Sequence, residues 1–527
     1  MLLNWNIRSD KSEILDSEEL KAGKNHIVVS LPDDSELKRV HSTVSVEINP
    51  DEKIFMNGYQ TWTVSPEYSI HDRIRGIHKI PKKLIDVYSF DRYGDYHFVN
   101  YPYKKGITHG FSWCYFRKGN NYRLFASLDE TPGYTMFQYD AGRQVLSIDR
   151  DCEGLHVSGK YHAFDLFYAE GNEQEVFDAW FDALNIHPPV TEKLYGYSSW
   201  YNRYQDINEA SIGEDLQGCT KLFEKGDLFQ IDDGWEPYVG DWLEADHTKF
   251  PSGMKAVADK IHKAGFKAGL WLAPFVAEEK SQLYQNHQDW FLKVNGDNWK
   301  LGCNWSGFYS LDIDNPEVTD YVKKSLKRVH DEWGFDLVKL DFLYGAAPFG
   351  NRHETRACRM LRAMKMIRED CGDMQILGCG VPVMPAFGYV DYCRISCDVS
   401  LDWDDVWYMH SFHRERTSTR NAITNIVTRR ELNGRAYGSD PDVFFLRDNN
   451  IKLNDRQKDD LAMLDALLGN VFLTSDNPGS YTSKMTARYE YYRRMSHAKV
   501  LHVSVHDGIH ITYELNGRKN TCHLFER

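Results

Sequence analysis

From Leu194 to about Asp476 the chain alternates short apolar runs with longer amphipathic stretches. The runs are YGYSSW, LFQID, FKAGLWLA, FDLVKLD, QILGCG, YCRISCD, DVFFL and NVFLTSD. Between them lie segments such as GMKAVADKIHKAG and PEVTDYVKKSLKRVHDEWG, whose apolar residues recur at helical spacing and which stop at glycine. Eight strand–helix repeats within about 290 residues predict a (β/α)8 barrel, whose usual size is about 250 residues plus insertions. The run DVFFL follows a long stretch of helical pattern from about Asp404 to Leu432. Residues 1 to about 185 have another rhythm. HSTVSVEI, YRLFASL and RQVLSIDR are short, alternating and β-branched or aromatic, with turn signals at PDD, RKGNN and DAGR, which predicts a β-sandwich. Two prolines in NIHPPVTEK mark a linker, and after about Lys484 there is room only for a helix and a few strands. The predicted fold is multidomain α/β: an N-terminal β-sandwich over 1–185, a central (β/α)8 TIM barrel over 186–484, and a small C-terminal β element over 485–527.

Composition narrows the function more than the fold. A chain of 527 residues is too long for one core, and 42% hydrophobic with 27% charged residues is the profile of a folded protein. Aromatics reach 14%, which suits either a large aromatic core or flat, hydroxyl-studded ligands such as sugars. The net charge of −14, without a long Lys/Arg run, speaks against nucleic acid or an anionic membrane as partner. The N-terminal stretch turns acidic before any apolar run could form a signal sequence, and no stretch approaches 18 apolar residues. Ten cysteines without a CxxC pair fit reduced thiols in a cytoplasm better than a disulfide framework or a zinc site. His410 and His413 lack a matching carboxylate set, so no metal is expected.

Catalytic residues of such a barrel sit at the carboxyl ends of its strands. Those ends carry Asp232-Asp233-Gly234-Trp235, Trp271 with Pro274, Asp341, Cys379, Asp398 and Asp476, and the seventh strand begins after Asp440-Pro441-Asp442. Several carboxylates converging on one mouth repel each other unless they share protons, cations or a polyhydroxyl ligand. Asp341 and Asp398 fall at equivalent rim positions two strands apart, the arrangement glycoside hydrolysis needs; a retaining enzyme holds the two about 5–5.5 Å apart. Lys339 starts two residues before Asp341, about 6–7 Å along an extended strand, where it can favour that carboxylate. Arg394 starts four residues before Asp398, roughly 13 Å back, and need not suppress its protonation. On these grounds Asp341 is the expected nucleophile and Asp398 the expected acid/base.

The ordered set YGYSSWY, FQIDDGW, GDW, NHQDWFLK, LDIDNPEV, VKLDFL, LGCGVP, RISCD and DPDVFFLR, together with NGYQTW near the N-terminus, resembles glycoside hydrolase family 36, the α-galactosidase family of clan D, in its short bacterial form. The resemblance implies the same roles for Asp341 and Asp398. It implies further that Asp232 and Asp233 bind the axial O4 and the O6 of galactose, and that Lys339, Cys379 and Arg394 surround the other ring hydroxyls. Trp200, Trp271 and Phe342 match an aromatic wall, and Trp62 matches a residue that the N-terminal domain lends to the site. The expectation is a retaining, exo-acting α-galactosidase that uses no cofactor. It acts on a small carbohydrate and resides in the cytoplasm. An α-N-acetylgalactosaminidase, a transglycosylase and a catalytically silent carbohydrate-binding relative are the alternatives; aglycone preference and oligomeric state are not readable.

Overall fold

The computed structural model describes residues 1–189, 192–411 and 413–526. Part of the predicted linker NIHPPVTEK, residues 190 and 191, lies outside the described residues.

The alternating region forms one parallel sheet of nine strands: β1 (Leu194–Ser198), β2 (Leu228–Ile231), β3 (Lys267–Leu272), β4 (Leu337–Leu340), β5 (Gln375–Gly378), β6 (Tyr392–Arg394), β7 (Gly438–Asp440), β8 (Val443–Phe444) and β9 (Val471–Thr474). Their spatial order is β7-β6-β5-β4-β3-β2-β1-β9-β8. The strands at the two ends, β7 and β8, are separated in the chain only by Pro441 and Asp442. Three Cα–Cα steps span at most about 11 Å, so the sheet must curl until its ends lie side by side. DVFFL was expected as one strand beginning after Asp440-Pro441-Asp442. The strand is instead split across that tripeptide, where proline offers no N–H and Asp442 takes φ +88°.

The helices follow the pattern read from the sequence. In Gly253–Ala264, Met254, Val257, Ala258 and Ile261 are buried along one stripe, and Gly265 ends the helix in the left-handed conformation. Two connections depart from it. Between β5 and β6 there is only the short 3-10 turn Met384–Ala386, because Pro382 and Pro385 interrupt any longer helix. The stretch expected as helical from Asp404 to Leu432 holds a 3-10 turn (Met409–Ser411), one helix (Thr419–Thr428) and a second 3-10 turn (Arg430–Leu432).

Residues before the curled sheet form eleven antiparallel-paired strands around their own apolar core. YRLFASL forms the strand Asn121–Ser127 up to Ser127, and RQVLSIDR forms Val145–Arg150 from its third residue on. PDD does not turn the chain. It remains inside the long strand Gly23–Ser45, where Asp34 takes φ +50° and the pairing with His156–Gly171 shifts register, so the irregularity becomes a kink. At the other end, the helix Ser483–Met495 leads into three antiparallel strands, Lys499–Val505, Ile509–Leu515 and Arg518–Leu524.

Candidate active site

At the carboxyl ends of the parallel strands lies a pocket of about 620 Å³. It brings together Asp232, Asp233, Lys339, Asp341, Asp398, Trp200, Trp271, Phe342 and Trp62. Cys379 and Arg394, expected to contact ligand, are buried just behind this lining. The other rim carboxylates divide by task. Asp440 and Asp442 ion-pair with Arg394, and Asp476 accepts the backbone N–H groups of Leu446 and Arg447.

Asp232 Oδ2 accepts from Lys339 Nζ and Gln230 Nε2, both at 2.8 Å. Asp233 Oδ2 accepts from Gln205 Nε2 and Trp305 Nε1, also at 2.8 Å, while its Oδ1 has no hydrogen-bond partner among the described residues. Burial pushes the Asp233 carboxyl up, hydrogen bonds with Glu236, Trp305 and Gln205 oppose the shift, and the charge on Asp232 adds to it. Glu236 is buried beside Asp233; burial, that neighbouring charge and a hydrogen bond with Asp233 push its carboxyl far above the ordinary range.

Asp341 takes a hydrogen bond from the Phe342 N–H (2.8 Å) on Oδ1 and one from Trp271 Nε1 (3.2 Å) on Oδ2. Burial raises its pKa; Lys339 pulls it down and Asp398 pushes it up. Lys339 thus acts on Asp341 as expected, but its direct ion pair is with Asp232, and burial outweighs it. Burial works against the charge on Lys339 too, yet Asp232 and Asp341 hold the ammonium above its ordinary range.

The expectation for Arg394 is overturned. Strand β6 ends at Arg394 and the chain bends, so the extended-chain separation does not apply and Arg394 Nη1 donates to Asp398 Oδ1 at 2.7 Å. The same guanidinium gives Nη2 to Asp442 (2.8 Å) and Nε to Asp440 (3.3 Å). Burial raises the Asp442 carboxyl to about 7, with Arg394 opposing. Asp398 keeps 39% of its side chain exposed to the pocket, unlike Asp440 and Asp442.

Trp62 reaches this site from the N-terminal strands because its loop is tied down. Thr61 N–H donates to Val381 O at 2.9 Å, and the fully buried Arg429 donates to Asn57 Oδ1, Thr61 O, Gln60 O and Ile395 O at 2.6–3.2 Å. Burial lowers Arg429 to about 10. Trp62 Nε1 donates to Cys379 Sγ (3.4 Å), and its ring meets Phe342 edge-on at 5.0 Å. Gly380 lies directly beneath; a Cβ there would meet the indole at 2.7 Å. Burial, and then the charge on Asp341, hold the Cys379 thiol far above its usual range, so it serves as a neutral group.

Trp305, Gln205, Glu236 and Arg429 escaped sequence reasoning. Trp305 lies in the insertion between β3 and β4 and completes the wall with Phe342 at 5.2 Å; no strand-end rule points to it. Nothing in the polar run Thr428-Arg429-Arg430-Glu431 singles Arg429 out. Among the described residues, one group of side chains, His510, His523 and Glu526, is spaced to hold a metal ion, and it does not line this pocket.

Fold and site have the form that glycoside hydrolysis requires: a curled parallel sheet with several carboxylates, Asp341 and Asp398 among them, lining an aromatic pocket at its carboxyl edge. The particular resemblance read from the motifs is borne out, since residues 195–367 match the Melibiase family model. The α-galactosidase Mel36A of Lactobacillus acidophilus is 30% identical over 151 residues, covering 27% of this chain and 20% of that protein. AgaA of Geobacillus stearothermophilus is 28% identical over 165 residues, 30% and 21% of the two. The matched stretch therefore spans about a fifth of these relatives' length. Structural likeness extends further. TtGalA, the α-galactosidase from Thermus thermophilus in complex with stachyose, superposes with a TM-score of 0.72 at 26% identity over 93% of this chain and 99% of that one. Its complex with p-nitrophenyl α-D-galactopyranoside gives 0.75 at 24% over 98% of both chains.

Proposed function

We propose that this chain is a family 36 enzyme, a retaining, exo-acting α-galactosidase. In this reading the curled sheet closes as a (β/α)8 barrel over about 186–484, between a β-sandwich (1–185) and a small C-terminal β element (485–527). The observation that carries the reading is the single pocket holding Asp341 and Asp398 together with the Asp232–Asp233 pair. Asp232 and Asp233 accept hydrogen bonds from O4 and O6 of the terminal galactose, which rests on the wall of Trp62, Trp200, Trp271, Trp305 and Phe342. Asp398, the more exposed acid, protonates the leaving oxygen as Asp341 attacks the anomeric carbon. The old C–O bond breaks and a β-galactosyl ester forms. Arg394, anchored by Asp440 and Asp442, keeps its place when Asp398 turns to the leaving group. Asp398 then takes a proton from water, which attacks the ester, frees Asp341 and leaves galactose in the α-configuration. Residues of the chain supply every step.

The relatives' complexes with p-nitrophenyl α-galactoside and stachyose support small α-galactosides as substrates. All ten cysteines are unpaired, which supports a reducing, cytoplasmic setting, and no helix among the described residues is long and apolar enough to cross a membrane. The test is a panel of α-linked nitrophenyl sugars with the anomer of the released sugar followed by NMR. Release of α-galactose, with no comparable activity on the glucoside or the N-acetylgalactosaminide, is expected. First-formed β-galactose would reject the retaining mechanism.

A further inference from the structure

The outer wall of the pocket holds two polar side chains that the proposed galactose site does not use. His413 and Glu415 come from the segment between β6 and the helix Thr419–Thr428, and both line the cavity. That segment is fixed against the N-terminal strands. Arg414 N–H donates to Tyr96 Oη at 2.8 Å, its guanidinium pairs with Asp95, and Val64 N–H donates to Arg414 O. Glu415 has no exposed side-chain surface, and His413 only 11%. Thr63 Oγ1 donates to Glu415 Oε1 at 2.7 Å, and Gly94 lies so close that a Cβ there would meet the same oxygen at 2.5 Å. The His413 ring is sandwiched between Phe90 (5.5 Å, 26°) and Tyr93 (5.3 Å, 19°). The scaffold therefore orients Glu415 Oε2 and His413 Nδ1 while leaving both without a hydrogen-bond partner among the described residues. They stand 3.7 Å apart, within reach of an ion pair when the imidazole is protonated but too far for a hydrogen bond.

Buried polar atoms left unsatisfied in a cavity call for a partner, since each alone costs the desolvation of its group. An oxygen about 2.8 Å from each atom fits a 3.7 Å gap. A hydroxyl can accept from an imidazole N–H while donating to a carboxylate. The volume of about 620 Å³ is that of a site for a ligand larger than one sugar ring. The floor, at the strand ends, is already assigned to the terminal galactose.

We infer that His413 and Glu415 form a subsite for a hydroxyl of the leaving sugar, and so select oligosaccharides over simple aryl galactosides. The inference rests on the α-galactosidase reading. Its test is the ratio of kcat/KM on raffinose to that on p-nitrophenyl α-galactoside, measured for wild type, Glu415→Gln and His413→Phe. Glu415→Gln keeps the shape and removes the charge; His413→Phe keeps the ring between Phe90 and Tyr93 and removes the nitrogen. Each should lower the ratio about tenfold, as expected for a lost hydrogen bond to a charged group. Thermal unfolding identifies a variant that fails to fold, and the other then decides. A wild type active on the aryl substrate, with folded variants whose ratio does not move, overturns this inference alone. A wild type inactive on both substrates overturns the functional reading and this inference with it.

Discussion

On the β2–β4 side of the pocket a lysine is buried against one carboxylate, and on the β6–β7 side an arginine is buried against three. Lys339 gives its direct bond to Asp232 and acts on Asp341 only through space. Arg394 spreads its fork over Asp398, Asp440 and Asp442. The difference follows from the side chains: an ammonium is a compact point charge, whereas a planar guanidinium can bridge several acceptors at fixed angles. The lysine side consequently leaves Asp341 in the pocket lining, held by one backbone N–H on Oδ1 and one indole on Oδ2. The arginine side holds Asp398, the proposed acid/base, by one contact of three, and can release it without losing its own anchorage.

Breaking the comparison at Asp341 should produce the largest effect. Asp341→Ala removes the proposed nucleophile, and turnover should fall on the order of 10⁴-fold or more. Azide can enter the vacated space on the β face, so added azide should restore turnover as β-galactosyl azide. An α-azide product in this variant would place the nucleophile elsewhere.

Asp398→Ala should show a loss that depends on the leaving group. On raffinose-like substrates with a poor leaving group the fall should be about 10²–10⁴-fold, the usual contribution of a positioned acid. On activated aryl galactosides formation of the ester should suffer much less. Equal losses on both types would remove Asp398 from the acid role, whatever its bond to Arg394.

Asp232 and Asp233 sharpen the lysine side. An equatorial O4 would miss the carboxylate oxygens placed for an axial one, Asp233 Oδ1 among them, and a site built to bond a hydroxyl rejects a misplaced one by about 10⁴ or more. Negligible α-glucosidase activity is expected in the wild type, with Asp232→Asn and Asp233→Asn each reducing kcat/KM on the galactoside by about 10²-fold or more, as for a charged hydrogen-bond partner made in the transition state. Comparable wild-type rates on glucoside and galactoside would sink the assignment.

The same comparison marks how far sequence reasoning reached. The period of apolar runs revealed the strands because each buries a continuous run such as LVKL or VFLT, and the strand-end rule then located Asp232, Asp341 and Asp398. It failed for Arg394 because distance along an ideal strand says nothing once the strand ends, and β6 ends at that residue. It could not see Trp305, Gln205 or Arg429, whose positions depend on how an insertion, a loop and a helix end fold back on the pocket. His413 was visible only as half of a possible metal pair; its place between Phe90 and Tyr93 comes from a segment some 300 residues earlier in the chain.

The smallest effect tests whether Lys339 really acts on Asp341 through space. Burial raises the Asp341 carboxyl and Lys339 lowers it, so removing the ammonium must raise it further. In the proposed mechanism Asp341 attacks as the carboxylate, and the acidic limb of kcat/KM against pH then reports its ionisation in the free enzyme. In Lys339→Met that limb should therefore move to higher pH, by about one unit for a neighbouring opposite charge. The rate should also fall at every pH, because Asp232 loses its cation, but such a loss lowers the profile without displacing it. Arg394→Met, which strips the acids of the other side, should move the acidic limb less. An acidic limb in Lys339→Met that coincides with that of the wild type would show that Lys339 serves Asp232 alone.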